Sequence, residues 1–180
     1  MQGIGIALGW LFVGMLVVLS IGIVLFRTII IPLNVNKRRV YARYVYEEEV
    51  LANETVRHED EYISIRGRTL YRQTWSPVGK PIKAVILFIH GLNAYSGKFA
   101  QWVPTFTEQG ICIVGIDHYG HGRSDGLHGF IPSVEQLVDD VQQHLVHIRE
   151  REEFKNIPLF TMGMSLGGLV QLRHSIKCIF

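Results

Sequence analysis

Two six-residue runs, Ala84-Val-Ile-Leu-Phe-Ile89 and Ile111-Cys-Ile-Val-Gly-Ile116, contain no charged residue. A run this short and this uniformly apolar fits a strand covered on both faces, the hallmark of a parallel sheet rather than of a half-solvated hairpin. Turn residues bound both runs: Pro77, Gly79 and Pro81 precede the first, and Gly110 precedes the second. Between them, Phe99 to Gln109 predicts a helix that Gly110 ends. A glycine-rich loop, Asp117 to Gly129, follows the second run. Ser133 then predicts the N-cap of a helix reaching about Glu152, with Val134, Leu137, Val138, Val141, Leu145 and Ile148 as its apolar stripe. Leu159-Phe-Thr-Met162 predicts a short strand after Pro158, and the chain turns helical again from Leu166. From Ala84 the order is strand, helix, strand, helix, strand, helix, which specifies an α/β fold with helices on the faces of a mostly parallel sheet. Upstream, Glu61 to Ile65 and Leu70 to Trp75 predict two more strands joined by a turn at Gly67.

The first part of the chain is of another kind. Gly3 to Phe26 is 24 residues long, and Ser20 is its one polar side chain besides glycine. As a helix it would reach ~36 Å, enough for a ~30 Å hydrocarbon core. It shows no polar face, as a soluble core helix would. A cleaved signal peptide would want a basic start and a shorter apolar stretch. The expectation is one transmembrane helix within residues 1–31, a juxtamembrane connector over 32–60, and the α/β body over 61–180. No Asp or Glu precedes Glu47, whereas Arg27, Lys37, Arg38, Arg39 and Arg43 give this part a charge of +5. By the positive-inside rule that flank, and the body behind it, face the cytosol. Gly5 and Gly9 match a helix-pairing spacing, read here as structural permissiveness. Glu47-Glu48-Glu49 reads as solvated surface. The net charge of +2 gives no argument for a nucleic-acid partner.

Gly163-Met164-Ser165-Leu166-Gly167 matches G-x-S-x-G, with a strand expected before it and a helix after it. Gly163 and Gly167 permit a sharp strand-to-helix turn that lifts the Ser165 hydroxyl clear of the sheet and sets it at a helix N-terminus. Acyl transfer places negative charge on a carbonyl oxygen, which two fixed backbone N–H groups stabilise. One is expected from Leu166, next to the nucleophile; the other is expected from Leu92, in the loop after the first buried strand. His90, ending that strand, reads as a structural hydrogen-bonding residue. His118 and His121 flank a Gly-rich turn. His144 and His147 sit three apart on a helix without a third ligand, so no metal is expected, and no cofactor either. Asp117 and Asp125 read as loop caps, and Asp139 and Asp140 as the exposed face of their helix. Cys112 falls in a buried strand and Cys178 near the chain end, without disulfide or metal spacing.

Three segments together, His90-Gly-Leu-Asn-Ala-Tyr-Ser-Gly97, Asp117-His-Tyr-Gly-His-Gly-Arg-Ser-Asp-Gly126 and Gly163-Met-Ser-Leu-Gly-Gly168, resemble the monoglyceride lipase and lysophospholipase group of α/β hydrolases, of serine aminopeptidase S33 type. Leu127-His-Gly-Phe-Ile-Pro-Ser133 also resembles the caffeoylshikimate-esterase-like plant members. The resemblance runs from about Glu61 to Leu172. It implies the N-terminal half of an α/β-hydrolase fold, Ser165 as nucleophile, Leu92 and Leu166 as oxyanion-hole donors, and a lipid or other ester substrate at a membrane. It also implies an Asp and then a His after the serine. The residues after Ser165 contain His174 but no Asp or Glu. His174 stands nine positions on, ~13 Å along a helix axis, and does not serve as the base. The expected activity is therefore that of a membrane-anchored serine ester hydrolase whose sequence is C-terminally truncated here. Two other expectations stand beside it: a catalytically inactive product acting as a membrane-tethered binding module, and a hydrolase of different chemistry such as a thioesterase or peptidase.

Overall fold

In the computed structural model, residues 2–25 and 52–179 are described, and side chains within the first helix only for 13–24. The basic cluster from Arg27 to Arg43, the Glu47–Glu49 run and most of the expected connector lie outside the described residues. Helix α1 spans Gln2–Leu25, 24 residues with neither acidic nor basic residues in its end turns. Val13 to Val24 are exposed throughout. Among the described residues no helix is long and apolar enough to cross a membrane, so the expected transmembrane helix is not found there.

Five strands form one mixed sheet in the order β1-β2-β4-β3-β5: β1 Val56–Ile65, β2 Arg68–Pro77, β3 Ala84–Ile89, β4 Ile111–Ile116 and β5 Leu159–Gly163. β2 pairs antiparallel with both β1 and β4, whereas β3 pairs in parallel with both β4 and β5. Strand β1 begins at Val56, inside the stretch assigned to the connector. The sheet is covered as the uniformly apolar runs require. Along β3, Val85, Leu87 and Ile89 point into a core shared with Leu137, Val141 and Ile148 of the helix after Ser133 and with Val170. Phe88 points the other way, into a second core with Trp75, Ala100, Val103 and Ile113. This period of two on a strand buried on both faces is why no polar residue interrupts it.

The expected helix from Phe99 to Gln109 is corrected to a 3-10 segment, Ser96–Trp102, followed by a short helix α2, Val103–Thr107. Pro104 has no N–H to donate four residues back, so a continuous α-helical ladder fails there; Val103 N–H instead bonds Ala100 O. Helix α3, Val134–Glu150, starts as expected, with Ser133 Oγ accepting from Gln136 N at 3.1 Å. Helix α4, Leu166–Ile179, follows β5.

The expectation that Asp139 and Asp140 share an exposed face is corrected for Asp140, which is buried. The β1–β2 turn explains it. Arg66 and Gly67 take positive φ, 52° and 73°, the geometry of a two-residue hairpin loop. That turn throws the Arg66 guanidinium onto α3, where it donates to Asp140 Oδ1 at 2.7 Å, Gln136 O at 2.8 Å and Asp139 Oδ2 at 3.0 Å. Burial pushes the Asp140 carboxyl above its ordinary value, against the pull of the Arg66 hydrogen bond.

Candidate active site

Because β4, β3 and β5 are parallel and in register, Ile116, Ile89 and Gly163 lie abreast. The loops that follow them, at Asp117, His90 and Met164, therefore leave the sheet along the same edge. This is the carboxyl edge, where open α/β sheets bind ligands. The three segments singled out in the sequence converge there although 19 and 36 residues lie between them along the chain.

Ser165 sits on the sharpest of these turns, exposed and at φ 54°. A left-handed conformation is strained for a residue with a Cβ and recurs at functional turns. Close backbone packing holds it. Met164 N bonds Ile89 O at 3.0 Å, and Gly167 N bonds Met164 O at 2.9 Å. A Cβ on Gly163 would overlap Gly167 O and stand 2.5 Å from Gly167 C; one on Gly167 would overlap Ile89 O. Both glycines are thus required by contact. Gly91 faces the serine: a Cβ there would lie 3.1 Å from Ser165 Cβ and 3.7 Å from its Oγ. Neither Leu92 N–H nor Leu166 N–H has an acceptor among the described residues.

Beneath this surface, polar groups fix the loops. His90 is fully buried; its Nδ1 lies 2.7 Å from Gly91 O, and its Nε2 accepts from His118 N at 3.0 Å. This matches the structural role expected of it. Burial pushes its pKa down to about 4. Asp117 is buried and accepts from Ser96 N and Ser96 Oγ, both at 2.7 Å, and from Arg123 N at 2.8 Å. Gln73 Nε2 donates in turn to Ser96 Oγ at 2.7 Å. Sequence reasoning identified Asp117 as a loop cap but not Gln73 and Ser96. The available signal was a carboxylate directly after an apolar strand, where it is buried and must find donors. Asp125 holds the same loop to β2 through Thr69 N at 2.9 Å.

No hydrogen bond joins any of the eight histidines, all among the described residues, to the Ser165 hydroxyl. His174 lies on α4 with Nε2 2.6 Å from Gln142 Oε1 on α3, and Cys178 Sγ stands 3.6 Å from the same nitrogen. Buried His118 and His144 have no hydrogen bond on either ring nitrogen, and burial pushes both well below the ordinary range. Buried Cys112 has its thiol pushed up to about 11, also by burial. Among the described residues no group of three or more His, Cys, Asp or Glu side chains is arranged to hold a metal ion. An open cleft of about 970 Å³ borders the elbow, walled by Phe88, Phe99, Trp102, Met162 and Met164. It lies beside β5, which has β3 on one side and no partner on the other among the described strands.

The sheet order, the elbow and the helices on both faces define an α/β-hydrolase-like fold. A match to the serine aminopeptidase, S33 family covers residues 80–178. The chain belongs to that family, within its monoglyceride-lipase-like group. It is 30% identical to a caffeoylshikimate esterase of Arabidopsis thaliana over 70% of this chain and 38% of that protein. It is 32% identical to a monoglyceride lipase homolog of Monkeypox virus over 57% of this chain and 36% of that protein. In fold it is similar to a soluble variant of monoglyceride lipase from Saccharomyces cerevisiae in complex with a substrate analog, with a TM-score of 0.57 at 22% identity, covering 71% of this chain and 41% of the other. The chain thus spans less than two fifths of the length of these two curated relatives.

Proposed function

We propose that this chain carries the nucleophile portion of a membrane-anchored serine ester hydrolase acting on acylglycerol- or lysophospholipid-type esters. Ser165 Oγ attacks the ester carbonyl as its proton passes to a base, Leu92 and Leu166 N–H groups receive the oxyanion, and an acyl-enzyme forms on Oγ as the alcohol leaves with that proton. The observation that carries this reading is the placement of Ser165: a positive φ of 54° at the start of a helix, pinned between two glycines that admit no side chain. The names of the relatives favour esters over peptides. An alcohol without a base keeps its proton and is a weak nucleophile, so the reading requires a base other than His174. Added imidazole can stand in for it. With imidazole, the purified chain is expected to cleave a short-chain monoacylglycerol in a Ser165-dependent way and to spare an aminoacyl amide. Equal rates for wild type and Ser165→Ala would overturn the reading, and preferential amide cleavage would redirect it to peptidase chemistry.

The anchor in this reading is drawn from the sequence of residues 3–26, which carry no charge and are followed by five basic residues before the first acidic one. With that flank inside, the body faces the cytosol. The chain is expected to resist alkaline carbonate extraction from membranes and to remain protease-accessible on the cytosolic side; release by carbonate would remove the anchor from the proposal. The alternative, a tethered module without catalysis, draws on the engagement of His174 with Gln142. It expects no imidazole-dependent turnover in a folded chain.

A further inference from the structure

We propose that His174, Cys178 and Gln142 form a binding site for a zinc-class cation, a borderline-soft ion without redox chemistry, where helices α3 and α4 meet. The inference is independent of the reading of Ser165.

His174 and Cys178 stand four apart on α4 and therefore share one face of it. Cys178 Sγ lies 3.6 Å from His174 Nε2. Gln142 reaches the same place from α3, with Oε1 2.6 Å from that nitrogen and 3.9 Å from the sulfur. Three ligating atoms from two helices thus converge, at a cleft of about 740 Å³ that all three residues line. Zinc takes thiolate sulfur at about 2.3 Å, imidazole nitrogen at about 2.0–2.1 Å and oxygen at about 2.0–2.2 Å, so a tetrahedral sulfur–nitrogen edge is about 3.6 Å. The edge between Cys178 and His174 already has that length. At those bond lengths one cation reaches all three atoms where they stand. The shorter nitrogen–oxygen edge widens as the Gln142 amide turns from hydrogen-bond partner to ligand, and a fourth tetrahedral position is left for water.

The cluster is not built as a thiol relay. A base that activates Cys178 through one ring nitrogen would be oriented by Gln142 through the other, whereas both groups address Nε2. Metal binding uses that shared nitrogen. The neutral ring carries its proton on Nδ1, Nε2 gives its lone pair to the cation, and the Cys178 thiol releases its proton to solvent. Burial and the Lys177 charge hold the His174 ring below its ordinary value, which favours the neutral form. Cys178 is an exposed free thiol, so the cation enters without opening the core. Once bound it ties the last turn of α4 to α3, and a ligand held only by the folded chain stabilises it.

The test uses the full chain, reduced and stripped of metal, near neutral pH. Co²⁺ is the probe, because its tetrahedral thiolate complexes are coloured. A single equivalent is expected to raise a sulfur-to-cobalt charge-transfer band, which an equivalent of Zn²⁺ removes while raising the midpoint of thermal unfolding. Cys178→Ser is expected to abolish the band. His174→Ala and Gln142→Leu are each expected to weaken Zn²⁺ binding by about tenfold or more, with circular dichroism unchanged. A band that persists in Cys178→Ser, the absence of a thiolate band in folded wild type, or a His174→Ala variant that binds Zn²⁺ as tightly as wild type would overturn the proposal.

Discussion

Gly167→Ala is expected to destabilise the domain by at least about 3 kcal/mol. The intrinsic preference runs the other way, since alanine is favoured over glycine inside a helix by about 1 kcal/mol. Contact decides the sign. The new methyl would overlap Ile89 O and stand 2.7 Å from Ile89 C and 2.8 Å from His90 O. All three are backbone atoms at the end of β3, a strand paired on both sides, so no rotamer change relieves the clash. Gly168 is the control: a Cβ there meets Gly163 O at 3.4 Å, ordinary contact. Gly168→Ala is expected to be neutral or to stabilise by up to about 1 kcal/mol. Urea midpoints of the two variants check this, and equal shifts would show that the elbow is not packed against β3 as described.

Stability is expected to fall steeply as pH drops from 6.5 toward 4. His90, His118 and His144 are buried, and desolvation disfavours their charged forms, taking His90 to about 4 and the other two well below the ordinary 6.5. In the unfolded chain each takes a proton near pH 6.5, whereas in the folded chain each stays neutral. The unfolded state thus binds more protons through this window, so stability rises with pH there, is complete above 6.5, and is lost as pH falls. Each histidine contributes up to about 1.4 kcal/mol per pH unit. The three act in the same direction, against the ~5–15 kcal/mol that holds a typical domain. His144→Leu, which removes a buried ring without hydrogen bonds, should make the slope shallower by about a third. An unfolding free energy that stays level between pH 6.5 and 5 would contradict this placement of the histidines.

The parallel core was legible because it rests on local signals. The apolar runs became β3 and β4, and Ser133 became the cap of α3, since periodicity and capping are read within a few residues. The elbow was legible for the same reason: two glycines and a serine at fixed spacing between a strand and a helix. What sequence reading missed came from tertiary contact. Asp140 is buried because a positive-φ turn about seventy residues earlier in the chain delivers Arg66 onto it, and no pattern within α3 announces that. The break before α2 had a signal, Pro104, which the apolar spacing of Phe99 to Gln109 overrode. His90 Nε2 accepts from the main-chain N–H of His118, a partner that sequence spacing does not reveal.

Ser165 is proposed as the nucleophile, with no hydrogen bond from its hydroxyl to a base among the described residues. The most direct test is fluorophosphonate labelling of the purified chain and of Ser165→Ala, with and without imidazole, and with the modified peptide located by mass spectrometry. Slow labelling that imidazole accelerates is expected, confined to the peptide carrying Ser165 and absent from Ser165→Ala. Rapid labelling of Ser165 without imidazole would contradict the missing base, and label elsewhere, or none in a folded chain with imidazole, would contradict the nucleophile.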